Sequence, residues 1–267
     1  MQALSDFDCH DIRDWVIANN YKAPIIAIFL YLIFVYTVPG LLKNQTALPI
    51  RHYFALWNFF LAIFSLFGAI NVVPFTLQMY REKGLRHMVC SDDAMMGLPR
   101  GREDVACYRE IGVFMTAFML SKFPELLDTV FLIGLKKPVI FLHWWHHFTV
   151  LGYSWFAYVW ATPTAITFCT MNYTVHTVMY AYFGLAIYTK KLNKYGIFIT
   201  MMQLAQMAVG LVLTVLSVYF GVLQGNCSSA YSDSLYYPLC TAMYGSYFYL
   251  FYRLLVAKGK GQSTKME

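Results

Sequence analysis

The sequence Phe141-Leu-His-Trp-Trp-His-His-Phe148 opens an apolar stretch, 139–160, that is long enough to cross a lipid bilayer as a helix. Within it, His143, His146 and His147 are spaced i, i+3 and i+4, so a helix places the three imidazoles on one face. Polar residues inside a membrane helix are costly and usually face the bundle interior. The stretch therefore predicts an all-α integral membrane protein in which a histidine face lines a buried functional site.

The composition of the chain agrees with a membrane protein. Of 267 residues, 59% are hydrophobic and only 13% are charged, whereas about a quarter are charged in soluble domains. The net charge of +6 is modest and its basic residues are scattered among loops, which argues against a nucleic-acid partner. The 6 cysteines include no CxxC pair, so a structural zinc site is not predicted.

Apolar segments long enough to be membrane-spanning helices follow one another through the chain. They indicate a single membrane domain, 1–267, with seven spans at 24–42, 54–79, 111–135, 139–160, 162–188, 196–223 and 236–256. The longest connection is 80–110, and residues 258–267 are predicted to form a solvated tail.

Lys and Arg mark the cytosolic side of a membrane protein. They gather in the predicted loops 43–53, 136–138 and 189–195 and near the C-terminus, so the C-terminus is predicted to be cytosolic and the N-terminus lumenal. This topology puts Cys90 and Cys227 in lumenal loops, where disulfides persist. The sequence leaves open whether the two form a bridge or stay as free thiols.

Charged residues interrupt the third predicted span. Lys122, Glu125 and Asp128 are three residues apart and fall along one side of a helix. Each ionised group near the bilayer centre costs about 2.5–3.5 kcal/mol on insertion scales, so such residues usually mark a functional site. A purely structural ion pair of Lys122 with Glu125 or Asp128 is the alternative. Pro124 is expected to kink this helix.

Two further spans carry polar faces with helical spacing: Asn172, Tyr173, His176 and Tyr180 in the fifth, and Thr200, Gln203 and Gln206 in the sixth. For the two glutamines, hydrogen bonding between helices explains the pattern as well as a substrate role does. The predicted topology brings these faces to the depth of Asp128 and the histidines. Four helices are therefore expected to meet at one polar level in the cytosolic half of the bilayer.

Three activities compete for this cluster. A neutral imidazole can attack a thioester to give an acyl-imidazole, while a second histidine accepts the released proton. A histidine-box, metal-dependent lipid oxygenase or desaturase needs more histidines, although four histidines and two carboxylates could hold one metal. A non-enzymatic seven-helix receptor or transporter has no evident use for three histidines on one face. Cys169, the other residue type that could be the nucleophile, lies off the imidazole level.

The polar spans carry four motifs: Lys122-x-x-Glu-x-x-Asp-Thr129, His143-x-x-His-His147, Met171-Asn-Tyr-x-Val-His176 with Met179-Tyr180, and Thr200-x-x-Gln-x-x-Gln206. In this order and on successive spans, they resemble the ELO family of very-long-chain fatty-acid elongases. The residues around the histidine box are most similar to members that act on saturated and monounsaturated acyl-CoA. Trp145 is a departure, because many members have Tyr there.

The resemblance implies a 3-ketoacyl-CoA synthase, an acyltransferase of the endoplasmic reticulum membrane. Such an enzyme condenses a long-chain acyl-CoA with malonyl-CoA and releases carbon dioxide and CoA, without a metal or other cofactor. The resemblance also implies a bundle or barrel of helices around an acyl tunnel. Beyond membrane lipid, the implied partners are the ketoreductase, dehydratase and enoyl reductase of the elongation cycle, and a homodimer is a further option.

Carried onto this sequence, the resemblance makes His146 the candidate nucleophile, supported by His143 and His147. His176 would activate malonyl-CoA and stabilise the enolate formed by decarboxylation. The other catalytic candidates, Lys122, Glu125 and Asp128, would orient and tune the imidazoles. The candidates for substrate binding are Asn172, Tyr173, Tyr180, Thr200, Gln203 and Gln206, with Lys136, Lys137, Lys194 and Arg253 at the CoA phosphates. For these four cations, topology is an equally good explanation.

Overall fold

The computed structural model describes residues 15–18, 21–90, 109–160, 162–224, 227 and 235–260. In these ranges the regular structure is helical, without strands: α1 (Lys22–Leu41), α2 (Arg51–Cys90), α3 (Arg109–Ser121), α4 (Leu127–Gly134), α5 (Phe141–Val159), α6 (Ala165–Ala186), α7 (Gly196–Val218) and α8 (Tyr236–Gly259). A 3₁₀ turn, Pro124–Leu126, links α3 to α4, and a second one, Lys190–Tyr195, leads into α7. A π-helical turn, Tyr219–Leu223, extends α7.

Among the described residues, three helical segments are long and apolar enough to cross a membrane by themselves: Lys22–Leu41, Arg51–Cys90 and Lys190–Leu223. The all-α class predicted from the sequence is confirmed for the described residues. The other four predicted spans, 111–135, 139–160, 162–188 and 236–256, are not among these segments, so the predicted number of seven spans is not confirmed. The first of these four is split into two helices, each too short to cross a membrane alone.

Pro124 breaks the third predicted span instead of merely kinking it. Helix α3 ends at Ser121, the 3₁₀ turn starts at Pro124, and α4 starts at Leu127. Proline has no N–H for the helical ladder, and its ring clashes with the preceding turn. The break turns the buried side chains of Glu125 and Asp128 toward different neighbours.

Two helix ends differ from the sequence-based boundaries. Helix α2 continues beyond residue 79 to Cys90, with a break at Gly84, whose φ of 80° is a left-handed value that glycine readily adopts. Helix α8 continues to Gly259, so the half-buried Lys258 belongs to the helix and not to a solvated tail. Hydropathy marks where a segment leaves the bilayer, whereas a helix can continue into water. The part of the predicted tail at 261–267 lies outside the described residues.

Small residues allow two helix pairs to pack closely. A Cβ added to Gly68 of α2 would collide with the ring of Tyr173 on α6, and one added to Gly210 of α7 would collide with the ring of Tyr244 on α8. In a membrane, helices associate largely through such close contacts, because lipid is as apolar as the side chains. These two glycines therefore set the distance between α2 and α6 and between α7 and α8.

A disulfide joins Cys90 at the end of α2 to Cys227, which lies before α8, with the Cα atoms 4.9 Å apart. Of the two alternatives left open by the sequence, the structure has the bridge. The bond connects residues 137 positions apart, so it closes a long loop and restricts the unfolded chain. Beside it, the Ser217 hydroxyl donates to the Val89 carbonyl at 2.6 Å.

We expect Gly210→Ala to lower the thermal unfolding midpoint of the detergent-solubilised protein. The added methyl would push the Tyr244 ring off α7, and overpacking of this kind costs about 1–3 kcal/mol. Gly245→Ala on α8 is the matched control, because open space surrounds that position and alanine is the better helix former. Fluorescence-detected unfolding compares the two, and equal midpoints would contradict the close packing of α7 on α8.

Candidate active site

A cavity of about 700 Å³ lies between α2, α4, α5, α6, α7 and α8. Its lining includes polar residues predicted from four separate segments of the sequence: Asp128, His143, His146, His147, Asn172, His176, Tyr180, Gln203 and Gln206. The helices therefore bring the predicted polar faces together around a single chamber.

Basic residues line the end of this cavity where several helices begin or end. Arg51 starts α2, Lys137 precedes α5, and Lys258 lies in the last turn of α8. Lys258 is held by the Thr200 hydroxyl at 2.8 Å, and Arg51 donates to the Ile187 carbonyl. Desolvation and the nearby Arg51 charge lower the pKa of Lys137. The chamber thus has a cationic mouth, formed by Arg51, Lys137 and Lys258.

Lys137 is the predicted CoA-binding cation that lines this mouth. Lys136, Lys194 and Arg253 are exposed and are not among the lining residues. Lys136 donates to a backbone carbonyl after α1, and the other two side chains lie over the rings of Tyr195 and Tyr249. These three residues therefore do not contact the chamber, contrary to the prediction that they bind CoA there.

A second, narrower cavity of about 50 Å³ leads away from the chamber toward the opposite ends of α5 and α6. Apolar side chains dominate its lining, among them Met115, Phe118, Met119, Ala157, Ala165 and Phe168. Its lining shares His146, Asn172, Gln206 and Met207 with the larger cavity. Of the four imidazoles at the site, His146 is the one that lines both cavities.

The charged residues of the third predicted span separate into two groups. Lys122 and Glu125 are 2% and 3% exposed, and the Lys122 amine lies 2.7 Å from a Glu125 carboxylate oxygen. Asp128 instead accepts hydrogen bonds from the Trp57 indole at 2.7 Å and from the Tyr180 hydroxyl at 2.9 Å. The structural ion pair considered as an alternative therefore forms between Lys122 and Glu125, while Asp128 lines the chamber.

The ion pair reaches the chamber through α6. The Lys122 amine lies 3.2 Å from Oδ1 of Asn172, and Nδ2 of the same amide lies 3.0 Å from Nε2 of His176. A second polar chain approaches from the other side, where the Thr129 hydroxyl lies 2.9 Å from Nε2 of His143 and 2.9 Å from the Tyr31 hydroxyl. Asn172 thus orients His176 from its own helix face, and Thr129 orients His143 from another helix.

The remaining two imidazoles pack against aromatic rings. The centroids of His143 and His147 are 4.4 Å apart, and the His146 ring lies 5.0 Å from that of Tyr247. The Tyr247 hydroxyl also donates to the His146 carbonyl at 3.2 Å. These contacts hold the His146 ring at the junction of the two cavities.

Besides the three exposed cations, two more predicted substrate-binding residues lie outside both cavity linings. Tyr173 is buried, and its hydroxyl donates to the Phe114 carbonyl at 2.9 Å. Thr200 supports Lys258 and does not itself line the chamber. Cys169 is fully buried in the apolar core and is also absent from both linings, which agrees with its predicted position off the imidazole level.

Several contributors to the site were not predicted as site residues, among them Arg51, Lys258, Trp57, Thr129 and Tyr31. The first two stand among the basic residues that mark topology, and nothing local separates them from their neighbours. Thr129 belongs to the first motif, so the sequence did draw attention to it. Its role became clear only from its contact with His143. Tyr31 lies in an apolar helix, α1, without any polar pattern.

The arrangement of the four imidazoles bears on the oxygenase alternative. Within the described part of the chain, no group of three or more His, Cys, Asp or Glu side chains is placed to hold a metal ion. The histidines contact a hydroxyl, an amide and aromatic rings. The geometry therefore gives no support to the oxygenase alternative.

The fold and site define an all-helical membrane protein with a buried histidine chamber between a cationic mouth and an apolar pocket. Comparison with known families gives the narrower assignment, because the model of the GNS1/SUR4 family, also called ELO, matches residues 16–265. The chain belongs to the ELO family.

Relatives of known name cover most of the chain. The very long chain fatty acid elongase 6 of Gallus gallus is 36% identical over 261 residues, which span 97% of this chain and 92% of the relative. The Drosophila melanogaster protein of the same name is 35% identical over 267 residues, 98% of this chain and 81% of the relative. A very long chain fatty acid elongase 4 of Trypanosoma cruzi is 38% identical over 225 residues, 83% and 75% of the two chains.

The ion pair generates a stability prediction. We expect Lys122→Met to destabilise the protein strongly, because removing one partner of a buried pair costs about 3–5 kcal/mol and leaves a buried carboxylate uncompensated. The double variant Lys122→Met with Glu125→Gln removes both charges and should regain most of the lost thermal midpoint. A double variant that is less stable than Lys122→Met alone would show that the two charges are not coupled.

Proposed function

We propose that this protein is a fatty-acid elongase that condenses a long-chain acyl-CoA with malonyl-CoA to give a 3-ketoacyl-CoA, carbon dioxide and CoA. Membership of the ELO family and the names of the relatives support the reaction. The observation that supports the mechanism is the position of His146, which lines both the chamber and the apolar pocket. A thioester there would direct its acyl chain toward the pocket and its CoA toward the mouth.

In the first half-reaction, the unprotonated nitrogen of His146 attacks the acyl-CoA carbonyl. The carbon–sulfur bond breaks, the acyl group stays on the imidazole, and the CoA thiolate takes up the proton that the ring loses. The amides of Asn172 and Gln206 line both cavities beside His146, where their N–H groups would face the developing oxyanion. The product is an acyl-imidazole, which is an activated acyl donor.

In the second half-reaction, malonyl-CoA occupies the chamber after CoA has left. It loses carbon dioxide, and the resulting enolate carbon forms a bond to the acyl carbon while the bond to His146 breaks. The released imidazolate takes up one proton, which restores the enzyme. His176 and Gln203 line the chamber near this point and would hold the malonyl thioester. These steps use no metal or other cofactor.

The cationic mouth would bind the phosphates of CoA. Arg51, Lys137 and Lys258 come from three different helices or loops, and they converge on the chamber entrance. Their positions also agree with the predicted cytosolic loops, where acyl-CoA is available. We therefore place the mouth at the cytosolic surface of the endoplasmic reticulum membrane, with the C-terminus cytosolic and the N-terminus lumenal.

In this assignment the chain crosses the membrane seven times. The broken pair α3 and α4 forms one span, and α1, α2, α5, α6, α7 and α8 form the others, around an acyl tunnel that begins at His146. The reductases and dehydratase of the elongation cycle would receive the product, and a homodimer is compatible with this arrangement.

Acyl transfer to His146 can be tested without malonyl-CoA. Purified protein mixed with acyl-CoA alone is expected to release one CoA per site and to gain the mass of the acyl group, measured by thiol assay and intact-mass spectrometry. His146→Ala should abolish both signals, whereas Cys169→Ser should retain them because Cys169 lines neither cavity. An adduct that persists in a folded His146→Ala variant would remove His146 from the nucleophile role.

The mouth can be tested by malonyl-CoA incorporation at varied acyl-CoA concentration. Lys137→Ala is expected to raise KM for acyl-CoA two- to fivefold, the equivalent of about 0.4–1 kcal/mol for a solvent-screened charge contact. Since the pKa of Lys137 is lowered, its charge is lost at lower pH than in a free lysine, so the variant should also weaken the rise of KM with pH. Lys191→Ala, at an exposed position outside the lining, is the control. Equal KM values for the two variants would contradict CoA binding at Lys137.

A further inference from the structure

The hydrogen bonds around Asn172 determine which ring nitrogen of His176 carries a proton. The Lys122 amine is paired with Glu125 at 2.7 Å and also lies 3.2 Å from Oδ1 of Asn172. A lysine ammonium has only donors, so the atom that faces it must be the amide oxygen and not the amide nitrogen. Asn172 therefore has one orientation, with Nδ2 directed away from Lys122.

This orientation fixes the role of the imidazole. Nδ2 of Asn172 has only hydrogens to offer and lies 3.0 Å from Nε2 of His176. Nε2 must then accept, which requires it to be unprotonated. In a neutral imidazole the proton resides on the other nitrogen, so Nδ1 is a donor.

We infer that Lys122 and Asn172 hold His176 as the Nδ1–H tautomer, so that His176 serves the condensation step as a hydrogen-bond donor and not as a general base. This inference rests on the proposed function, because His176 lines the chamber in which malonyl-CoA would react. A donor is what the enolate oxygen requires when the malonyl group loses carbon dioxide, since negative charge develops on that oxygen. Lys122 and Asn172 are positioning residues that act through His176.

The ion pair explains why a charged lysine, and not a neutral donor, orients the Asn172 amide. A neutral donor such as a serine hydroxyl can rotate and also accept, and would leave Asn172 free to turn over. The Lys122 ammonium cannot accept, and Glu125 holds it in place inside an apolar bundle. The Ser121 hydroxyl, 2.9 Å from the same carboxylate oxygen, adds a further bond to Glu125.

The tautomer can be measured directly by NMR of protein labelled with ¹⁵N at the histidine rings. Protonated and unprotonated ring nitrogens differ in their ¹⁵N chemical shifts. A difference spectrum against His176→Asn identifies the His176 signals. We expect Nδ1 to be protonated and Nε2 to be unprotonated in the wild type. A proton on Nε2 would overturn the inference. The measurement needs no substrate, so its outcome does not depend on the acyl-imidazole mechanism.

The donor role can be separated from a base role by two substitutions at His176. Asparagine carries its amide nitrogen at the same number of bonds from Cα as Nδ1, so His176→Asn retains a donor there but cannot take up a proton. His176→Leu retains neither and is expected to lose condensation by about 10²–10³-fold, the usual effect of removing one oxyanion donor. His176→Asn should recover a measurable part of that loss. Equal activities of the two folded variants would overturn the donor role.

Asn172→Asp reverses the hydrogen bond with little change of shape. A carboxylate only accepts, so Nε2 of His176 would have to donate, and the proton would leave Nδ1. We expect the NMR signals to show the Nε2–H tautomer and condensation to fall toward that of His176→Leu. A wild-type pattern of ring shifts in this variant would overturn the role of Asn172.

Discussion

A lysine and a glutamate buried against each other control the arrangement of the polar interior. Lys122 and Glu125 occupy the break that Pro124 makes between α3 and α4, and both are almost fully removed from solvent. In a low-dielectric bundle each charge would be costly alone, so the two must stay together in the segment that joins α3 to α4. Through Asn172 the same pair also positions α6 and the His176 ring.

The chamber combines two requirements that conflict in a membrane. An acyl chain needs an apolar pocket, while CoA needs cations and water. The molecule separates them along the helices, with the cationic mouth at one end, the narrow apolar cavity at the other and the imidazoles between them. His146 lies where both meet, so a thioester there can keep each part in its own environment.

Packing outside the chamber keeps this geometry in place. Gly68 and Gly210 let tyrosine rings lie directly against neighbouring helices, and the Cys90–Cys227 disulfide ties the end of α2 to the segment before α8. Tyr173 takes part in this packing, which explains why a tyrosine with the spacing of a site residue lies outside the chamber. Helical periodicity predicts on which side of a helix a residue lies. It does not predict which neighbouring helix that residue will contact.

The sequence by itself determined the membrane class, the histidine face of α5 and the other polar segments, because hydropathy and helical spacing are local properties. It could not distinguish Lys137, which lines the chamber, from the other basic residues. It also could not show that Lys122 pairs with Glu125 while Asp128 bonds to Trp57, or that Cys90 and Cys227 form a disulfide. Tyr31 meets Thr129 across 98 residues, and Lys258 meets Thr200 across 58. Only the tertiary structure decided these contacts, since side chains from distant segments become neighbours only when the helices pack.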